Sequence, residues 1–178
     1  AGIETFGGVD IIVNNAGYTW DGVVHKMSDK MWDAMMDIHI KAPFKIIRAA
    51  APFFRDAAKL EIEKWGRPVA RKIINISSNV SEVAMAGRSV YAVSKAGVSH
   101  LTRPLALEWA PHGVNVNAIG PGPTITELNQ AYFDEHPEDL SERIASIPMA
   151  RMGAPSDHVG AAIFLASDAS DFVTGQTI

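Results

Sequence analysis

The chain contains no cysteine, which excludes disulfides, thiol nucleophiles and thiolate metal sites and suits a reducing, cytoplasmic compartment. Its six histidines (25, 39, 100, 112, 136 and 158) form no HExxH or comparable pairing, so no metal site is expected. No apolar run reaches the roughly 18 residues of a membrane span, and no signal-peptide pattern is present. Positive charge is not in excess. Sixteen Lys and Arg against 20 Asp and Glu leave a net charge of −4, without the basic footprint that nucleic acid requires. What remains, 47% hydrophobic and 20% charged over 178 residues, suits one globular domain with a sizeable core.

Short apolar, β-branched runs alternate with helical patterns. Val9–Asn14 reads as a buried parallel strand, Lys72–Ser77 (KIINIS) as a second and Gly113–Ile119 (GVNVNAI) as a third. Ser28 is placed to cap a long helix from Asp29, with Met31, Met35, Ile38, Phe44 and Ile47 on one face. A second helix is predicted from Ser89 to about Pro111, with Pro104 as a possible kink. Thr124–Pro148 is polar and mixed in pattern, as expected of an irregular lid, and Ser156 is expected to cap a last helix ending near Ala166. Strands alternating with helices predict an α/β doubly wound parallel sheet in three αβα layers, spanning 1–178 as a single domain.

One spacing carries chemistry. Tyr91 and Lys95 are four residues apart, so on a helix the phenol and the ammonium share a face, and Ser78 ends the strand before them. A hydroxyl, a phenol and an ammonium together suit proton transfer to a carbonyl oxygen. A free phenol has a pKa of about 10, and working near neutrality requires roughly 4 kcal/mol. One positive charge about 4 Å away at an effective dielectric near 20 supplies about that much. Alone the pair means little, since three tyrosines and eight lysines in 178 residues yield roughly 0.13 such spacings by chance. Its companions in chain order matter more: VDIIVNNAG (Val9–Gly17), INISS (Ile74–Ser78), YAVSK (Tyr91–Lys95), NVNAIGPGPTIT (Asn115–Thr126) and the closing run Pro148–Ile178.

That series resembles the short-chain dehydrogenase/reductase family, in particular compact members such as acyl-carrier-protein reductases. The resemblance implies a Rossmann-like fold and NAD or NADP as cofactor. It also implies an N-terminal strand and glycine-rich GxxxGxG turn, absent here, so the chain is expected to lack the first two βα units. By the same resemblance Ser78, thirteen residues before Tyr91, orients the substrate oxygen, Tyr91 exchanges the proton, and Lys95 lowers the phenol pKa and holds the nicotinamide ribose. Asn15, Ala16 and Gly17 are expected along the adenosine-ribose side, Pro121, Gly122, Thr124 and Thr126 behind the nicotinamide. Asn14 is expected to tie strands together, and Ser77 and Ser81 to bond backbone.

His39 departs from the family, whose fourth catalytic residue at this place is usually asparagine. The stretch here reads IHIKAPF, and Pro43 denies a hydrogen bond to the His39 carbonyl four residues back. The implied activity is interconversion of a secondary alcohol and a ketone, on a small molecule or a 3-oxoacyl thioester. A homotetramer is also implied, with Phe53, Phe54, Val98, Leu101 and Leu105 offering apolar surface. The rival readings are a sugar-nucleotide epimerase or dehydratase, which shares the Tyr-x-x-x-Lys pair, and a cofactor-less partner-binding subunit.

Overall fold

The computed structural model describes residues 2–178. Three strands, β1 (Ile11–Asn14), β2 (Arg71–Ile76) and β3 (Val114–Ile119), form a parallel sheet in the order β1-β2-β3. Alternate side chains leave opposite faces of a strand. Ile73 therefore packs with Val114, Val116, Ile47, Phe54 and Trp109 on one face, while Ile74 packs with Ile119 and Leu165 on the other. Helices cover both faces, which makes the three αβα layers predicted.

A short helix, α1 (Gly2–Phe6), ends where Gly7 takes φ 76° and its N–H returns to the Ile3 carbonyl. β1 pairs on one side only and, in this chain by itself, leaves Ile11 47% and Val13 50% exposed where burial on both faces was expected.

Ser28 caps α2 (Asp29–Met36) by accepting the Met31 N–H. The helix then runs on through α3 (Ala42–Ala51) and α4 (Ala57–Trp65), joined by wider π turns at Asp37–Lys41 and Pro52–Asp56. The Ala42 N–H reaches five residues back to Asp37, directly before Pro43. Proline then offers no donor to the carbonyls of Ile38 and His39, and the wider turn is how the helix absorbs it. Ala57–Trp65, charged in sequence, is helical and stops at Gly66 with φ 75°.

The long helix α5 (Ser89–Trp109) keeps Pro104 inside it. Phe54 and Val98, expected at a subunit surface, are in the core, because their faces of the helices look onto the sheet and its neighbours. The 124–148 segment is not irregular. It folds as α6 (Glu127–Glu135) and α7 (Pro137–Ala145), broken at His136-Pro137, where proline starts the second helix. The last helix, α8 (Val159–Ala166), follows a 3₁₀ turn at Pro155–His158, and Asp157 rather than Ser156 accepts the Ala154 N–H there.

Candidate active site

The carboxyl ends of β2 and β3, the start of α5 and the α6–α7 pair enclose a cleft of about 410 Å³. Parallel sheets bind ligands at this end, where strands give way to loops and helix N-termini. Ser78, Tyr91, Lys95 and His39 all line it, as do Asn15, Gly17, Pro121, Gly122, Thr124 and Thr126; Ala16 does not.

β2 delivers Ser78 at its end, and the residues flanking it fix the backbone. Ser77 donates to the Lys95 carbonyl at 3.0 Å and meets the Ser99 hydroxyl at 2.6 Å, and Ser81 donates to the Ser78 carbonyl. Asn14 donates to Asn75 at 2.8 Å, and Asn75 to Thr102 at 3.0 Å, so β1, β2 and α5 are tied by side chains. Both expectations for these residues hold.

Tyr91 and Lys95 share a face of α5, with the ammonium 5.6 Å from the ring centroid. The ammonium donates to the Ile76 carbonyl at 2.8 Å. Burial pushes the Lys95 pKa down from 10.5 to about 8. The expected lowering of the phenol pKa does not appear. Burial raises Tyr91, a hydrogen bond with Ser78 and the charge of Arg88 pull it back in part, and Asp21 adds to the rise. Lys95, its own pKa near 8, has lost its charge before a phenol raised above its usual value titrates, so it does not hold the phenol down.

His39 is buried. Its Nε2 lies 2.8 Å from the Tyr18 carbonyl, which can only accept, so Nε2 carries the hydrogen and Nδ1 the lone pair. Its ring stands edge-on to Tyr91 with centroids 5.4 Å apart. Burial first and the Lys95 charge second hold its pKa below the usual value, against the opposing pull of the Tyr18 carbonyl, so the imidazole is neutral. A Cβ on Gly17 would fall 2.5 Å from the His39 ring, which is why the residue following Asn15-Ala16 has no side chain. The imidazole thus braces the 15–18 loop against α5.

Thr126 begins α6, its N–H held by the Asn129 side chain at 2.8 Å, and Asn129 in turn donates to the Thr124 carbonyl. Thr124 Oγ1 lies 3.0 Å from the Gly122 carbonyl and 2.9 Å from His158 Nε2. Beside Gly122 a Cβ would meet nothing within 4 Å, so this wall is open to a flat ligand. Lys95, which lines the cleft, has three donors and uses one on Ile76, which leaves two unspent. These features fit the nicotinamide-ribose end of a dinucleotide. Among the described residues no group of acidic, histidine or cysteine side chains could hold a metal ion, and no helix is long and apolar enough to cross a membrane.

Sequence reasoning missed Tyr18, Met85, Arg88, Asn129, Phe133 and Arg143, all of which line the cleft. Arg88 stands three residues before Tyr91, one helical turn, and that spacing was a usable signal. It pairs with Asp21 at 3.1 Å. Burial raises the Asp21 carboxyl pKa, and Arg88 opposes it.

A family model described as enoyl-(acyl carrier protein) reductase matches residues 2–178. A 3-oxoacyl-(acyl-carrier-protein) reductase of Staphylococcus aureus is 36% identical over 176 residues, covering 99% of this chain and 66% of the relative. The 2-dehydro-3-deoxy-D-gluconate 5-dehydrogenase of Escherichia coli is 39% identical over 176 residues, covering 99% and 65%. The crystal structure of a gluconate 5-dehydrogenase from Burkholderia cenocepacia, in complex with NADP and tartrate, superposes with a TM-score of 0.83 at 35% identity, covering 99% and 65%. The chain therefore spans just under two thirds of the length of these relatives. With this sheet, this cleft and these matches along nearly its whole length, the chain belongs to the short-chain dehydrogenase/reductase family.

Proposed function

We propose that the protein interconverts a secondary alcohol and a ketone using a nicotinamide dinucleotide. The observation that carries this reading is the convergence of Ser78, Tyr91 and Lys95 on one cleft. The Ser78 hydroxyl holds the carbonyl oxygen, and the Tyr91 hydroxyl gives it a proton as charge develops there. Lys95 holds the ribose hydroxyls with the two donors it does not spend on Ile76. When bound, the reduced nicotinamide supplies the hydride to the carbonyl carbon, so proton and hydride together make the alcohol. Gly122, Pro121 and Thr124 form the wall behind that ring, and Asn15 and Gly17 line its approach.

Exposed apolar residues on the outer helices, Leu60, Leu107 and Phe44 among them, accord with a homo-oligomer. In the full-length protein Tyr91→Phe keeps the ring and removes the proton. A fall in ketone turnover of roughly 100-fold or more is expected by steady-state kinetics with NADPH or NADH. A change below about fivefold would remove the assignment.

A further inference from the structure

The cleft is lined by three cationic side chains, Arg88, Lys95 and Arg143, and by no aspartate or glutamate, although the chain as a whole is acidic. Two of the three charges are accounted for. Arg88 is paired with Asp21, and Lys95 is held by the Ile76 carbonyl at the reacting end. Arg143 is not. Among the described residues it forms no ion pair with a carboxylate, and its Nη1 meets only the Met85 sulfur, at 4.0 Å.

That contact is weak, and its direction is informative. Arg143 lies on α7 four residues after Asp139, where an acid and a base ordinarily pair along a helix face. Asp139 is instead taken by the Tyr132 hydroxyl. The guanidinium is left half-buried, aimed across the cleft mouth toward the loop before α5, with a planar fork suited to a two-oxygen anion. A thioether stabilises that charge little, so an anionic ligand has only water to displace from the fork.

We infer that Arg143 is the anchor for the carboxylate of a small oxo acid or hydroxy acid, whose ketone or carbinol carbon is then held at Ser78 and Tyr91. This rests on the proposed oxidoreductase activity and specifies its substrate class. The remaining lining supports a hydroxylated carbon skeleton: Asn79, Thr19 and Tyr18 place polar groups around the space between. A cleft of about 410 Å³ that also takes the nicotinamide leaves room for a short chain.

Two measurements on the full-length protein test this. In the first, calorimetry follows binding of D-gluconate, of uncharged sorbitol and of 4′-phosphopantetheine to the wild type and to Arg143→Met, without any need for turnover. Gluconate binding that weakens at least tenfold in Arg143→Met, exceeds that of sorbitol in the wild type and is partly restored in Arg143→Lys supports the assignment. Equal affinity for gluconate and sorbitol overturns it, as does gluconate binding unmoved in Arg143→Met. Phosphopantetheine as the ligand that depends on Arg143 overturns the carboxylate in favour of a phosphate. A matching loss of NADPH affinity would assign Arg143 to the cofactor and overturn it too. In the second, the KM ratio between an oxo acid and its methyl ester rises at least tenfold in Arg143→Met. A ratio that stays put refutes the anchor, whereas absence of carbonyl reduction with every substrate refutes the activity and leaves the binding result to decide the anchor.

Discussion

Lys95 is a cation nearly out of water, 5% exposed, with a backbone oxygen as its hydrogen-bond partner. Its pKa of about 8 against 10.5 for a free lysine corresponds to on the order of 3 kcal/mol set against the charged form. Between those two values the unfolded chain binds the proton and the folded chain does not, so stability rises as pH rises through that window. Below about pH 8 both states carry the proton and the full penalty applies; near pH 9.5 about 2 kcal/mol of it has been relieved. The amine still donates to Ile76 after losing its proton, so the hydrogen bond is not part of the change. Other lysines and tyrosines titrate over the same range, and Lys95→Met isolates the one of interest by removing it. Urea unfolding of wild type and Lys95→Met, followed by fluorescence of the tryptophans, measures both at about pH 7.5 and 9.5. The wild type should gain about 2 kcal/mol relative to Lys95→Met across that interval. A difference that moves by less than about 0.5 kcal/mol would refute the reasoning, because the ammonium would then be hydrated in the folded state.

Two further outcomes are open to measurement. His39 is neutral when folded and protonates more readily when unfolded, so it should weaken the fold as pH falls below about 6.5; the acid limb of a stability profile should flatten in His39→Asn, and an unchanged limb would remove the imidazole from the account. The nearly buried Arg71 is clamped by both oxygens of Glu61, at 3.0 and 2.6 Å, and Glu61→Ala should cost roughly 1–3 kcal/mol by chemical denaturation, since it leaves the guanidinium only the Val69 carbonyl and the more distant Asp10 carboxylate.

What could be read from the sequence followed the strength of local signals. KIINIS and GVNVNAI, short and β-branched, became β2 and β3, and Ser28 capped α2 as its side chain required. IIVN has the same composition and became β1, but how much of a strand is covered depends on the elements packed against it and not on the strand itself. The α6–α7 pair was obscured because two nine-residue helices broken at His136-Pro137 never sustain a long enough period. At the site, Ser78, Tyr91 and Lys95 were legible because their spacing is itself the chemistry. The side the lysine charge would turn to was not, since the Ile76 carbonyl that draws it is nineteen residues away in sequence. Arg143 gave no signal at all, because what makes it unusual is that Asp139 is engaged elsewhere.

The contact of His39 with Gly17 constrains how this chain can change over time. A side chain at 17 and an imidazole at 39 exclude one another at 2.5 Å, so neither position drifts independently. Gly17→Ala alone meets the ring; His39→Asn alone leaves a gap and releases the Tyr18 carbonyl; the two together remove the collision. A double-mutant cycle on stability should therefore be far from additive. The order of substitution is biased as well: the histidine has to leave before the glycine can be filled, so a lineage that acquired His39 closed off position 17 for as long as it kept the ring.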